Sequence, residues 1–398
     1  MVLTESLYSA NWDLGFMNFN MAEDGSVAHT EFDDGEIISE ILARLPVKSV
    51  MRFRCVSKSW NTLISDPYFT KKHFRYAEMG ITENSSRLLY SMDPPQSLDH
   101  EALKDLKDHR DGYFANRELD FPVMIPEFSN RYKSIVGCCN GLICFSVQGD
   151  DFILWNPCTR YSKLLPRTPL PVFNRHAFCG FGYDSANDDY RVLVGTKEMG
   201  EEITIQVFAL KTSSWKVLPI TNALSISGRG FFLNGALHWL TRVEPNRGNS
   251  RTILSFDLAE EKFHEMIPLP YDDDDGGFYG MTILRNCLCV FNFLVGRAGV
   301  STIWLMKEYG VKQSWTQVIR CSKREIPKEH RLLFLQPICI LENGELVGND
   351  FRAGFLVLYD PKENTFKNVT KTHNELNCGA LVYRETLVSP VTGSVVDI

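Results

Sequence analysis

An internal repeat is the feature of this sequence that most restricts its fold. Each copy contains an apolar, strand-like run that ends in a large side chain, then a turn, then a second run that carries an aromatic residue. These end positions recur at intervals of 48 to 53 residues, at Trp155, Phe208, Phe256, Met306 and Tyr359. Repeats of this period are typical of solenoids and propellers, in which each unit buries its apolar face against the next.

Turn dipeptides occupy a second fixed position in the repeat. Asn140-Gly141, Asn234-Gly235 and Asn343-Gly344 predict hairpins, because a type I′ turn needs positive φ at both central residues. Asn187-Asp188 and Arg285-Asn286 are weaker signals at the same position. Each repeat therefore predicts four strands, the number in a blade of a kelch-type propeller.

Five repeats are visible directly, and the two ends of the β-rich region can supply a sixth. Strand-like runs within residues 86–122 would pair with residues 379–390 and so close the ring, which removes exposed sheet edges. We therefore predict an all-β domain over residues 85–396, a six-bladed kelch-like β-propeller. Five or seven blades, or an irregular double sheet, remain alternatives.

The first 75 residues follow a different pattern. Residues 1–31 are acidic and non-periodic, which predicts a disordered leader, whereas residues 32–75 predict a small all-α module. Pro46 would end the first of three helices, and Ser57 would cap the third. So small a core cannot hide all its apolar side chains, so another surface must cover the remainder.

Composition excludes several classes of protein. A net charge of −7 argues against a nucleic-acid binder. No apolar run reaches the length of a membrane span, and no secretory leader is recognisable. The eleven cysteines lie mostly in apolar runs, as free thiols of a reducing compartment do. We expect a cytoplasmic or nuclear location, or both.

No catalytic or metal-binding motif is evident, so we expect a non-catalytic protein without a cofactor or metal. Gly180-Phe181-Gly182 lacks the rest of a dinucleotide loop and predicts a strand bend. Cys138-Cys139 and the Cys287/Cys289 pair have poor spacing for zinc, which favours core packing. His238 fits a hydrogen-bonded core histidine better than a catalytic base. Asp272–Asp275 fits a solvated loop, able to contact a basic target, better than a calcium site.

The segment EIISEILARLPVKSVMRFRCVSKSWNTLISDPYFTKKHF resembles an F-box, the module that docks the Skp-type adaptor of cullin–RING ubiquitin ligases. The F-box's usual opening Leu-Pro is replaced by Phe32-Asp33-Asp34, which bears on adaptor affinity rather than on fold. The resemblance implies an adaptor-binding face formed by Ile38, Ile41, Leu45, Pro46, Val47 and Val50. The helical pattern predicts Ile37, Leu42, Trp60 and Leu63 in the module's core, with the adaptor interface as the alternative for Trp60.

Residues 138–315 are similar to the plant F-box-associated interaction domain. The strings CNGLICF, LWNPCTR, GFGYDSANDDYRVL, NGALHWL, ILSFDL and IWLMKEYGVKQSW stand in the family's order. The resemblance implies the substrate-recognition subunit of an SCF-type (Skp-cullin-F-box) ligase, whose β domain binds a protein target for degradation. Relatives of this kind include S-locus pollen proteins that target ribonucleases and proteins that limit immune receptors.

The target itself is not named by the sequence. Its binding residues are expected in loops that vary between repeats, namely residues 97–111, 167–176, 196–203, 242–251 and 271–278. Two other functions stay open. The chain could be a propeller scaffold outside any ligase, or a propeller enzyme with convergent titratable groups on its axial face.

Overall fold

The structure is a computed structural model. It describes residues 34–80, 86–90, 95–99, 103, 117–121, 133–147, 151–170, 178–197, 203–219, 226–242, 251–270, 279–292, 300–322, 335–350, 355–369 and 379–393. Contacts divide the chain into two units, residues 1–38 and residues 39–398. The described part of the first unit is the start of one helix, and all the other elements belong to the second unit.

The N-terminal module contains four helices rather than the predicted three. They are α1 (Asp34–Ala43), α2 (Val47–Phe53), α3 (Lys58–Ser65) and α4 (Pro67–Glu78). Ser57 caps α3 as predicted, because its Oγ accepts from the Trp60 N–H at 3.1 Å. The missed helix begins at Asp66-Pro67, which the sequence analysis treated as an ending. Asp66 instead caps α4 through the Tyr68 N–H, and proline suits the first helical position.

Twenty-five strands follow within the described residues. The first twelve are β1 (Ser86–Tyr90), β2 (Gln96–Asp99), β3 (Arg117–Glu118), β4 (Lys133–Cys139), β5 (Leu142–Val147), β6 (Asp151–Trp155), β7 (Ser162–Leu164), β8 (Phe178–Asp184), β9 (Asp189–Lys197), β10 (Ile203–Ala209), β11 (Ser214–Pro219) and β12 (Gly228–Arg229). The others are β13 (Phe231–Leu233), β14 (Ala236–Arg242), β15 (Arg251–Asp257), β16 (Lys262–Pro268), β17 (Tyr279–Leu284), β18 (Cys287–Asn292), β19 (Val300–Met306), β20 (Trp315–Ser322), β21 (Leu335–Ile340), β22 (Leu346–Asp350), β23 (Phe355–Asp360), β24 (Thr365–Asn368) and β25 (Ala380–Arg384).

These strands form the six blades of a β-propeller. Blades 1 to 5 are successive sheets, β4–β7, β8–β11, β13–β16, β17–β20 and β21–β24. Blade 6 has the order β25-β1-β2-β3, so its inner strand comes from the C-terminal end and the others from the N-terminal end. β25 pairs with β1 over five residue pairs, from Ser86 with Arg384 to Tyr90 with Ala380. The predicted all-β, six-bladed fold and its closing blade are therefore confirmed.

The five anchor side chains lie deep in the propeller. They lie in the last or next-to-last position of the third strand of blades 1 to 5, and all are at most 3% exposed: Trp155, Phe208, Phe256, Met306 and Tyr359. Adjacent blades are also joined by hydrogen bonds from tryptophan indoles at the start of outer strands. These are the bonds from Trp215 Nε1 to the Pro166 carbonyl and from Trp315 Nε1 to the Pro268 carbonyl.

The hairpin turns between the first and second strands agree only partly with prediction. Asn140-Gly141 and Asn234-Gly235 have positive φ at both residues, as a type I′ turn requires. Arg285-Asn286, the weaker signal, adopts the same conformation, at 50° and 56°. At Asn343-Gly344 only the glycine has positive φ, which contradicts the type I′ prediction. There the loop runs from Leu341 to Glu345, and the Asn343 side chain accepts from the Glu345 N–H.

Blade 2 carries an additional inner strand. β12 pairs in parallel with β8, joining Gly228 to Phe178 and Arg229 to Cys179. The sheet order β11-β10-β9-β8-β12 places β12 on the axial side of the strand that would otherwise be innermost. Among the described strands, no other blade has such an addition, so the axis is lined asymmetrically.

Several predicted loops are partly strand. Residues 97–99 belong to β2, so the loop predicted from residue 97 is wrong at that end. Ser97 is fully buried, and its Oγ contacts Arg87 Nε and the Tyr383 hydroxyl. The ends of the loops predicted at residues 196–203 and 242–251 are also strand.

The structure describes the other predicted loops only in part. Residues 271–278, including Asp272–Asp275, and the predicted leader 1–31 lie outside the described residues. Only the first four residues of the loop predicted at 167–176 are described, and they form neither helix nor strand. The glycines of Gly180-Phe181-Gly182 lie within β8, in strand conformation.

Candidate functional site

Polar contacts connect the two ends of the helical module. Glu40 on α1 forms an ion pair with Lys72 on α4, at 2.6 Å. Its carboxylate also accepts a 2.8 Å hydrogen bond from the Tyr76 hydroxyl. The Lys72 contact is the largest reason why the pKa of Glu40 lies below its usual value, although partial burial opposes it. The ion pair is therefore charged at neutral pH and connects α4 to α1.

A buried histidine supports the corner between α1 and α2. His73 is 2% exposed, and its Nε2 lies 2.9 Å from the Leu45 carbonyl oxygen. Burial lowers the pKa of His73, so the neutral ring donates its Nε2 proton to that carbonyl. A helix that the sequence did not predict thus holds the backbone of Leu45, next to Pro46.

The residues predicted to contact an adaptor differ in exposure. Ile41 is 39% exposed, and Ile38, Leu45 and Pro46 are partly exposed. Val47 and Val50 are 2% and 0% exposed, so within this chain they are core residues. Their direct contact with an adaptor stays a prediction, and it would require the module to rearrange.

The residues predicted to form the core of the module also differ in exposure. Leu42 is 1% exposed, whereas Ile37 is 44% exposed. Trp60 and Leu63 are partly exposed, and the Trp60 ring meets Phe53 edge-on at 5.5 Å between centroids. An apolar stripe shows which residues share a face, but it does not show how much of that face the chain itself covers.

Two large apolar side chains that the sequence analysis passed over are well exposed. Val56, which follows α2, is 60% exposed, and Tyr68 in the first turn of α4 is 74% exposed. Both residues lie in the F-box-like segment, and that segment is the signal that could have identified them. Tyr68 belongs to the unpredicted helix.

An ion pair connects the helical module to blade 2. Lys71 Nζ on α4 lies 2.9 Å from Asp188 Oδ2, in the turn between β8 and β9. Burial would raise the pKa of Asp188, but hydrogen bonds from the Tyr183 hydroxyl and Lys71 outweigh it, so the pKa is lowered. Lys211 approaches the same carboxylate at 3.5 Å. Asp188 is therefore ionised where α4 meets the propeller.

A cavity of about 750 Å³ follows the propeller axis. The inner strands of all six blades line it, and β12 adds Arg229 and the residues after it. Phe74 and Glu78 of α4 line the cavity as well, together with the turn residues Asn140 and Asn234. Because these turns lie at one edge of the blades, α4 covers that end of the axis.

Four of the five loops in which target contacts were predicted leave the opposite edge, whereas the loop predicted at 97–111 joins β2 to β3 at the edge near α4. Antiparallel order places the links from second to third strands, and from each outer strand to the next blade, at the edge away from α4. The predicted loops 196–203, 242–251 and 271–278 are links of this kind. Their central residues lie outside the described ones, so their contacts stay predictions.

One histidine and two thiols in the propeller core are held in their neutral forms. His238 is fully buried, with Nδ1 3.1 Å from the Phe231 carbonyl and Nε2 2.7 Å from the Tyr309 hydroxyl. Burial lowers its pKa to about 4, so the neutral ring donates through Nδ1 and accepts at Nε2. This is the hydrogen-bonded core histidine that was predicted. Burial also raises the pKa of Cys138 to about 12 and that of Cys179 to about 11.

Among the residues that the structure describes, no group of three or more His, Cys, Asp or Glu side chains is placed to hold a metal ion. Cys139 and Cys289 are buried, and Cys138 and Cys287 are partly buried, all as free thiols. Within the same residues, no helix has the length and hydropathy needed to cross a membrane.

Comparison with known proteins gives two family matches. The family model described as F-box domain matches residues 35–72. The model described as F-box associated beta propeller domain matches residues 120–388.

Individual proteins show the same arrangement. An F-box/kelch-repeat protein of Arabidopsis thaliana is 30% identical over 367 residues, covering 89% of this chain and 95% of its own length. The F-box protein CPR1 of Arabidopsis thaliana is 27% identical and covers 82% of this chain and 81% of its own length. Among solved structures, TolB from Acinetobacter baumannii aligns with a TM-score of 0.43 and 11% identity, over 78% of this chain and 70% of its own.

Proposed function

Because this chain belongs to the family of F-box proteins with an F-box associated beta propeller domain, we propose that it recruits one protein target to an SCF-type ubiquitin ligase. Members of this family are substrate-recognition adaptors and are typically non-catalytic. In this chain the helical module would bind a Skp-type adaptor, and through it the cullin and RING subunits. The propeller would bind the target, and other subunits would carry out the ubiquitin chemistry.

The observation that carries the adaptor half of this proposal is the supported corner at Leu45-Pro46. Both residues are partly exposed, and Ile41 and Val56 are exposed more fully. The hydrogen bond from His73 fixes the corner's backbone before any partner arrives. A rigid apolar surface loses little conformational entropy on binding, which favours affinity.

The arrangement of the two ends of the propeller supports the part of the proposal that concerns target binding. α4 lies at the turn edge of the blades, through Lys71 and through its side chains in the axial cavity. Four of the five loops in which target contacts are expected leave the opposite edge, so an adaptor and a target could bind at once without competing. Holding a target near a loaded conjugating enzyme raises the effective concentration of its lysines, which is all that an adaptor must supply.

A binding assay between the purified full chain and a plant Skp-type adaptor tests the adaptor half. We expect submicromolar binding that is lost in the double variant Leu45→Asp/Pro46→Glu. Val217→Asp is the matched control, since Val217 is a 41% exposed apolar residue on the outer strand of blade 2. This control should bind as the wild type does.

The rival functions give different results in that assay. No adaptor binding by a wild-type chain whose module is folded would support a propeller scaffold outside the ligase. Undiminished binding by the double variant, with its helical content retained, would place the adaptor contact elsewhere on the module. A circular dichroism spectrum of each variant separates these outcomes from simple unfolding.

We also propose a cytoplasmic or nuclear location, where a cullin-based ligase would meet this chain. Two target classes remain candidates within the family, secreted ribonucleases and immune receptors. Proximity labelling by the full chain, compared with a variant whose residues 271–278 are replaced by a Gly/Ser linker, tests target binding at that edge. Proteins enriched by both chains equally would not be targets bound through that loop.

A further inference from the structure

Arg229 is an arginine that faces the axial cavity without a partner. Its guanidinium makes no ion pair or hydrogen bond with any residue in the part of the chain that the structure describes. The contact given for it is with the Phe231 ring, whose centroid lies 4.7 Å from its Cζ. Burial lowers the pKa of Arg229, and the nearest titratable groups are the thiols Cys179 and Cys138. Arg229 is partly exposed, and a partly desolvated cation without a protein partner favours the binding of an anion.

The position of Arg229 follows from the additional strand in blade 2. Arg229 pairs with Cys179 on the axial side of β8, where no other blade has a described strand. The Gly230 N–H donates to the Cys179 carbonyl at 2.7 Å and holds the next residue in place. A Cβ at Gly230 would come within 2.5 Å of the Trp239 ring, so this segment is closely packed. The backbone that carries the arginine is therefore fixed.

Other groups along the cavity would suit an anion. Thr282 and Gln336 line it from blades 4 and 5, and neither side chain has a hydrogen-bond partner among the described residues. Arg285 and Arg384 are also in its lining, whereas Glu78 is the one acidic residue among the lining residues that the structure describes. Three arginines against one carboxylate favour a ligand with more than one negative charge.

We propose that the axial cavity binds a small organic polyanion, a phosphate ester or a di- or tricarboxylate, through Arg229. A guanidinium offers two parallel N–H donors that match either group in a bidentate contact. The volume of about 750 Å³ lies within the range of small-molecule sites. Since α4 covers one end, the ligand enters from the edge away from the helical module.

The test uses the full chain with sodium pyrophosphate and sodium citrate, each compared with sodium chloride at matched ionic strength. Thermal unfolding and calorimetric titration should both show saturable binding. In Arg229→Gln the affinity should fall at least tenfold. Arg167→Gln is the matched control, because Arg167 has a side chain 85% exposed and lies outside the cavity lining. It should bind as tightly as the wild type.

Each outcome decides the proposal. A response to pyrophosphate alone assigns a phosphate ester, and a response to citrate alone assigns a carboxylate. No saturable response to either anion, or Arg229→Gln binding within twofold of the wild type, overturns it and leaves a hydrated channel only.

A second measurement covers the case in which Arg229→Gln fails to fold. Phenylglyoxal modifies accessible guanidinium groups, and mass spectrometry of the wild-type chain reports the extent at Arg229. Saturating anion should protect Arg229 at least fivefold and leave Arg167 unprotected. Equal modification of Arg229 with and without anion overturns the proposal. No adaptor takes part, so failure here is independent of failure of the ligase assignment.

Discussion

The helical module and the propeller bury their apolar residues in different ways. In the propeller, the large anchors of all five repeats are at most 3% exposed, and the C-terminal strand of the closing blade is paired with an N-terminal one. In the module, Ile41, Val56 and Tyr68 remain 39%, 60% and 74% exposed. The propeller completes its own core, whereas the module leaves apolar area that a partner can cover.

The largest effect should come from opening the ring. Deleting residues 379–398 removes β25 and leaves the edge of β1 unpaired, so we expect the propeller to lose cooperative unfolding. The loss is comparable with the whole stability of a domain, on the order of 5 kcal/mol or more. Thermal unfolding followed by near-UV circular dichroism measures it. Deleting only residues 394–398 is the control, and it should leave the transition unchanged.

A tryptophan in each region sharpens the comparison. Trp155 is 0% exposed and packs against Phe121 at 5.3 Å and Phe145 at 6.1 Å. Trp155→Ala should cost about 3–5 kcal/mol, as expected for a buried aromatic residue. Trp60→Ala should cost less, since Trp60 is partly exposed and has one aromatic contact described, with Phe53. If urea unfolding showed equal losses of unfolding free energy for the two variants, the contrast between the regions would be contradicted.

Acid should destabilise both regions through buried histidines. His238 has a pKa near 4 in the fold against about 6.5 when unfolded, so the unfolded chain binds the proton more tightly. The stabilisation is complete above pH 6.5 and is lost as the pH falls toward 4, by roughly 2–3 kcal/mol. The lowered pKa of His73 acts in the same direction on the module.

Urea titrations of the wild type and of His238→Gln between pH 7.5 and 4.5 measure this effect. The variant should be less stable at pH 7.5 but lose less stability on acidification. His264→Gln is the control, because the His264 side chain is 47% exposed. Parallel pH profiles for wild type and His238→Gln would show that His238 is not buried in its neutral form.

The smallest effect should come from the ion pair between the regions. Lys71 and Asp188 have side chains about half exposed, and such pairs contribute roughly 0–1 kcal/mol. Lys71→Ala should therefore lower stability by less than about 1 kcal/mol, and by less still in 1 M salt. A double-mutant cycle with Asp188→Asn isolates the coupling. A coupling above 2 kcal/mol would mean that the pair holds the two regions together.

Much of the propeller was predictable because its repeat is local. Anchor spacing and Asn-Gly turns are read from neighbouring residues, and they identified five blades and the closing sixth. Arg285-Asn286 adopts the turn because the pairing of Leu284 with Cys287 leaves only two residues between the strands, a requirement set by register rather than by residue type. The Asn343 turn is wider because side-chain contacts with Glu345 stabilise a longer loop.

The candidate sites were harder to predict than the propeller, because they depend on contacts that a sequence pattern does not show. The corner at Leu45-Pro46 was identified, but its support by His73 required α4, whose proline start was taken for an end. Val47 and Val50 were assigned to a binding face by the F-box resemblance, which does not show how much of that face this chain itself covers. Arg229 gave no signal, since its position depends on a parallel pairing between residues about 50 apart.

The pairing of β25 with β1 also has a consequence for biosynthesis. The two strands are separated by about 290 residues, which a ribosome adds in roughly 15 to 60 s. Throughout that interval β1 emerges without its partner, whereas the residues of the helical module are already outside the exit tunnel. A nascent chain could therefore offer its module to an adaptor before its target-binding ring exists. Under the proposed function, a prematurely terminated product would occupy the ligase without delivering a substrate.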